Sequence, residues 1–201
     1  KKKKYERLIK KSNNIEEINQ DIKIESIKLN RKSIESITNL GQSILYVINN
    51  VLLKEISKVN SIEELIKQSS FMFACNENIA KHIEYKLIER ENISTTYLCN
   101  FNIMLLHCKI SHIEGARFGY IRLNQVLNND AKIIEGAIVE LVSDQYMDID
   151  TEIIGKINET LIETEDFIKI LKEDSKDDIV RKITEILVNL YEQKTSRYLN
   201  M

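Results

Sequence analysis

The chain has 201 residues, 43% of them hydrophobic and 30% charged, and its 29 basic and 31 acidic side chains leave a net charge of -2. Such values describe an ordinary globular protein able to bury a sizeable core and exclude a disordered or membrane-embedded chain. No basic field exists to neutralise phosphates, which excludes nucleic acid as a partner. Proline and tryptophan are absent, and a chain without proline favours long uninterrupted helices, because proline removes a backbone donor and clashes inside a helix. Cys75, Cys99 and Cys108 are odd in number, lack CxxC spacing and sit in apolar segments. That pattern predicts buried free thiols in a reducing cytoplasm. No apolar run approaches the ~18 residues of a membrane span, and no secretory signal is visible. Because it starts at Lys1 rather than at a methionine, the chain reads as a piece of a longer protein.

Lys1 to Lys4, Arg7, Lys10 and Lys11 predict a solvated basic tail over 1–14. Apolar residues then recur at three- and four-residue steps. Ile15, Ile18, Ile22, Ile27, Ile34 and Ile37 mark a first helix, with a stop at Leu40-Gly41, since glycine supplies the left-handed conformation of a helix end. Ile44, Leu45, Ile48, Val51, Leu52 and Ile56 make a second. Ser61-Ile62-Glu63-Glu64 is a capping box opening a short helix through Leu65 and Ile66 to Phe71-Met72-Phe73. Ile79, Ile83 and Leu87 mark the next, which carries His82. Ser94 is the candidate N-cap of a central helix. There Leu98, Phe101, Leu105, Cys108 and His112 share one face, and Ile103, Leu106, His107 and Ile110 the adjacent one, so the helix is expected to be buried. After a bend at Glu114-Gly115, the residues Phe118, Ile121, Val126, Leu127, Ile134, Ile138 and Leu141 trace a long helix with Gly136 inside it. Tyr146 to Asp150 reads as a loop, Thr151 caps a helix through Ile154, Ile157, Leu161, Ile168 and Leu171, and Ser175 to Asp178 open a last one carrying Ile179, Ile183, Ile186, Leu187, Leu190 and Tyr191. The expectation is an all-α bundle of seven to eight helices.

Enzyme signatures are missing. The five glycines are scattered, so there is no phosphate-cradling loop, and neither HExxH nor Glu-x-x-His occurs. On a helix His107 and Cys108 would point about 100° apart and form no catalytic pair, while His107 and His112 would diverge by about 140° and chelate no shared metal. Asp144, Asp148 and Asp150 lack the glycine and bidentate glutamate of a calcium loop and read as helix caps. His107 alone, among Ile103, Leu106 and Ile110, is either a structural histidine bonded to a carbonyl or water, or an axial ligand to haem iron buried against apolar helices.

The segment Ile103-Met104-Leu105-Leu106-His107-Cys108-Lys109-Ile110 resembles the proximal-histidine segment of globin-coupled sensors, with Lys109-Ile110 in place of that family's basic–apolar pair. Leu40-Gly41-Gln42-Ser43-Ile44-Leu45-Tyr46-Val47 is similar to the segment opening the family's first globin helices, and Phe118 and Tyr120 correspond to an aromatic pair in the next helix. The family's glycine–leucine is replaced by Ser111-His112, and its following proline and tryptophan are absent. Tyr46 and Tyr85 are the candidate distal tyrosines. The resemblance, over roughly 15–172, implies a globin-like sensor domain, with haem or a haem-free pocket for a fatty acid or anion. A second segment, Glu114-Gly115-Ala116-Arg117-Phe118-Gly119-Tyr120-Ile121, is similar to the BH1 motif of Bcl-2 proteins, which implies a groove for an amphipathic partner helix.

The expected protein is therefore not an enzyme but a cytoplasmic regulatory domain of globin-like fold over 15–172, followed by a connecting or dimerisation helix over 173–201. Its expected cofactor is haem, bound through His107 with Ile103, Leu106, Ile110 and Phe73 lining the pocket, or none. Its expected partners are a downstream signalling protein or output domain and a second copy of the chain. The alternative is a Bcl-2-like groove.

Overall fold

A computed structural model of the chain describes residues 31–111, 113–144 and 147–199. In chain order the elements are α1 (helical over 31–49), β1 (Leu52–Ile56), α2 (Ile62–Phe73), α3 (Glu77–Ile93), β2 (Tyr97–Leu98), β3 (Ile103–Ile110), β4 (Arg117–Asn129), β5 (Lys132–Ser143), α4 (Met147–Glu163), α5 (Glu165–Glu173) and α6 (Lys176–Leu199). The strands form one mixed sheet in the order β1-β4-β5-β3-β2, with β1 parallel to β4, β4 antiparallel to β5, β5 parallel to β3 and β3 antiparallel to β2. The expected all-α, globin-like bundle is thus replaced by a three-layer α/β/α fold.

The physical reason lies in the centre of the chain. In β3, Met104, Leu106, Cys108 and Ile110 enter a core shared with α2 and α3, while Ile103 and Leu105 face a second core on the opposite side of the sheet. A strand buried on both faces reads as a continuous apolar run, which periodicity cannot separate from a buried helix. The stretch expected as one long helix from Phe118 to Leu141 is the β4–β5 hairpin. Its strands carry the β-branched residues Ile121, Val126, Ile133, Ile134, Ile138, Val139 and Val142, which pack well on a pleated surface. The chain reverses at Asp130, whose φ of 52° is the left-handed conformation that aspartate tolerates in turns. Gly136 sits in β5 opposite Arg122 because a Cβ there would collide with the Tyr120 hydroxyl and the Ile121 carbonyl.

The second core gathers residues of α1, α4, α5 and α6, including Leu40, Ile44, Val47, Ile153, Ile157, Phe167, Ile179, Ile183 and Leu187. The Phe118 and Phe167 rings stack with centroids 6.4 Å apart and hold α5 to the sheet. Within 173–201, expected as a connecting or dimerisation helix, Ile179, Ile183, Ile186, Leu187 and Leu190 of α6 join this same core. Several local expectations change in the same way. Helix α1 runs through Leu40-Gly41 without stopping, and Gly41 faces the Tyr191 ring, 3.2 Å from where its Cβ would stand. Ser94 is the C-cap of α3, not an N-cap. The capping box at Ser61 does form: its Oγ accepts from the Glu64 N–H at 3.1 Å, though the Glu64 carboxylate takes the Asn60 N–H. The basic tail over 1–14, the first part of the opening helix, His112 and Tyr146 lie outside the described residues. Among the described residues no helix is long and apolar enough to cross a membrane.

Candidate functional site

Strand β2 pairs only with Ile103 and Met104, so from Leu105 onward the outer edge of β3 has no strand beside it among the described residues. Helix α3 flanks this edge on one side of the sheet and α4 on the other, and between them lies a cavity of about 530 Å³. Alternation along β3 decides what it exposes there. His107 is two residues past Leu105, points away from the α2–α3 core and comes to the cavity half-buried. Strand geometry also separates it from Cys108, which lies on the α2–α3 side where burial pushes its thiol up to about 12.

Arg90, in the last turn of α3, reaches the ring: its Nε donates to His107 Nε2 at 3.1 Å. Its Nη1 donates to the Ser94 carbonyl at 3.0 Å, which ties the guanidinium to the end of its own helix. An imidazole nitrogen that accepts carries no proton, so the proton of the neutral ring is assigned to Nδ1. Nδ1 is itself shut off from solvent. Burial first, and then the Arg90 charge, lowers the His107 pKa below its ordinary value, with the Leu105 backbone acting in the opposite sense. At neutral pH the ring is therefore an uncharged base whose free lone pair, on Nε2, points to a guanidinium.

Beside it stands Glu140 of β5, paired in register with His107 across the parallel ladder. It is only 2% exposed. Oε2 accepts from Asn158 Nδ2 of α4 at 3.0 Å, and Oε1 is buried without a partner among the described residues. Desolvation raises this carboxyl to about 7, against the smaller effect of the Asn158 hydrogen bond. Leu105, Val142 and Ile154 supply apolar wall, and Gly155 of α4 leaves room, since a Cβ there would meet nothing within 4 Å.

His107 is the sequence-predicted site residue that reaches this cavity. Ile103 is buried in the core beneath the same face, Leu106 and Ile110 belong to the opposite core, and Phe73 ends α2 on that opposite side against Gly119. Of the candidate distal tyrosines, Tyr46 stacks under Arg117 at 4.2 Å and Tyr85 is exposed on α3. Arg90, Glu140 and Asn158 were not anticipated. The Arg90 context, Glu89-Arg90-Glu91, looks like any solvated helix face. Glu140 had a signal, a lone charge inside Ile138-Val139-Glu140-Leu141-Val142. Among the described residues no group of three or more His, Cys, Asp or Glu could hold a metal ion.

Residues 47–186 match the family described as phosphoenolpyruvate-dependent sugar phosphotransferase system, EIIA 2. The chain belongs to this EIIA family. Solved structures with a similar fold include the nitrogen regulatory protein IIA-Ntr from Neisseria meningitidis, at 15% identity and a TM-score of 0.55, covering 71% of this chain and 99% of that one. IIA mannitol from Escherichia coli matches at 16% identity and a TM-score of 0.47, covering 67% and 95%. A putative PTS IIA from Streptococcus mutans matches at 13% and 0.48, covering 74% and 95%. No curated protein matches the chain. Membership of the EIIA family overturns the resemblance to globin-coupled sensors and the sensor function drawn from it, because the segment likened to a proximal-histidine helix is an EIIA β-strand. The case for a haem at His107 rested on that helical setting. The Bcl-2 reading fails as well: Glu114 to Ile121 is a loop and the start of β4, not a groove-forming helix.

Proposed function

We propose that the chain is a phosphoryl carrier, in which Nε2 of His107 takes a phosphoryl group from a donor protein and yields it to an acceptor. The observation that carries this reading is the pairing of a neutral, half-buried imidazole with Arg90 in an open cavity of a phosphotransferase-family fold. In acceptance, the Nε2 lone pair forms a bond to phosphorus while the donor's bond to phosphorus breaks and the donor keeps that electron pair. The proton stays on Nδ1 throughout. Arg90 turns from Nε2 to the phosphoryl oxygens, where a planar guanidinium matches two oxygens at once and offsets their charge. Other nucleophiles fit less well, as Cys108 is held protonated on the far face of β3.

The reading makes the chain a carrier and not an enzyme turning over a free substrate, with cytoplasmic protein partners on either side of the transfer. Intact-mass spectrometry of the protein treated with potassium phosphoramidate, a chemical donor to imidazoles, tests it. One phosphoryl group is expected, labile in acid and stable in base, and absent from His107→Ala. Uptake that survives His107→Ala contradicts the reading.

A further inference from the structure

Glu140 has no evident task in the transfer itself, yet the fold buries it beside the phosphoryl-accepting ring. Adjacent strands lie about 4.8 Å apart, so paired positions on one face, such as His107 and Glu140, are within reach of a common phosphoryl group. Glu140 lines this cavity, and with Oε2 held by Asn158 its Oε1, buried and without a partner among the described residues, is the oxygen left to serve a bound group. We propose that Glu140 is a proton-dependent gate on the carrier: as a carboxylic acid it donates a hydrogen bond from Oε1 to the phosphoryl group on His107, and as a carboxylate it repels that group.

The surroundings support a switch between these two states. Around the cavity, α3 contributes Lys86, Glu89 and Arg90, β3 contributes His107, Lys109 and Cys108, whose thiol burial pushes up to about 12, and α4 contributes the uncharged Asn158 and Thr151. From β4 the register partner of Glu140 is the apolar Phe118. Lys86 is paired with Glu89 at 2.8 Å, and Arg90 is engaged by His107 and Ser94. Among the described residues Glu140 has no ion pair, and desolvation brings its titration to about 7, inside the physiological range. Phosphorylation adds negative charge next to it, which favours the acid form further. No proton leaves or enters the transfer step: the Glu140 proton is shared with a phosphoryl oxygen, and the N–P bond forms as already described.

This gate rests on the carrier reading, and its test separates the two. Initial rates of phosphoryl uptake from potassium phosphoramidate are followed by ³¹P NMR in the wild-type chain and Glu140→Gln across pH. The donor's own pH dependence cancels in the ratio of the two proteins. Glutamine mimics the acid form and cannot ionise, so the wild type is expected to fall about tenfold relative to Glu140→Gln between about pH 6 and about pH 8, as the carboxyl titrates near 7. Asn158→Ala removes a hydrogen bond that favours the carboxylate, and is expected to move the wild-type inflection to higher pH. A pH-independent ratio, or an inflection that Asn158→Ala leaves in place, overturns the gate while leaving the carrier reading intact. Absence of uptake in the wild type at every pH overturns both.

Discussion

The buried carboxyl of Glu140 makes a measurable contribution to stability that Glu140→Gln removes. In the unfolded chain the group titrates at its ordinary 4.5, and in the folded protein desolvation raises it to about 7. The fold therefore binds this proton more tightly than the unfolded chain does. The stabilisation is complete below the unfolded value and is lost as pH rises through the folded one. At ~1.4 kcal/mol per pH unit over that interval, the loss is about 3 kcal/mol. His107 works in the opposite direction, because with its pKa lowered by burial its contribution grows as pH rises from the folded value towards the ordinary one and is complete above it. Glu91 and Asp150, both raised by burial, titrate as well. All three remain in Glu140→Gln, so the difference between the two proteins isolates Glu140. Urea denaturation followed by circular dichroism from about pH 4 to about pH 8 should show the wild type losing ~3 kcal/mol relative to Glu140→Gln, mostly between 4.5 and 7. Curves that run parallel over the whole range would mean that the carboxyl is solvated or paired in the folded protein, and would refute the burial argument.

Three further outcomes follow from the packing. Gly136→Ala places a methyl against Tyr120 and the Ile121 carbonyl, so overpacking should destabilise the hairpin by ~1–3 kcal/mol, and an unchanged Tm would contradict the close approach. Gly155→Ala meets nothing within 4 Å and replaces glycine inside a helix, so it should stabilise the protein by ~0.5–1 kcal/mol; a lower Tm would show that α4 packs more tightly there than described. Thiol titration with a disulfide reagent should label the exposed Cys75 and Cys99 in the native state and Cys108 only on unfolding, given its burial and its raised pKa of about 12. Fast native labelling of Cys108 would contradict its place in the α2–α3 core.

The helical flanks were legible because their signals are local. The Ser61 box, the Ser175–Asp178 start of α6, where Ser175 Oγ accepts from the Asp178 N–H at 3.3 Å, and the apolar spacing of α3, α4 and α6 depend on residues within one or two turns. The sheet was not, because its stabilisation comes from pairing across the chain. Leu52–Ile56 needs Gly119–Leu123, and Ile103–Ile110 needs Gly136–Ser143, for their backbone groups to be satisfied. Strands apolar on both faces then mimic a buried helix, and the absence of proline removed the usual punctuation. Two cues pointed the other way: the Asn128-Asn129-Asp130 cluster between two β-branched runs, and eight residues from Ile103 to Ile110 too short for a buried helix. The site was half legible. His107 stands out as an imidazole in an apolar run, whereas Arg90 and Asn158 gain their meaning only when α3 and α4 close around the bare edge of β3.

The central claim is that Nε2 of His107 carries the phosphoryl group, and ¹⁵N–³¹P coupling in histidine-labelled, phosphorylated protein tests it most directly. The buried Nδ1 and the accepting Nε2 predict a single phosphorylated histidine coupled through Nε2, with Nδ1 still protonated. Coupling at Nδ1, or at His82 in place of His107, would contradict the account.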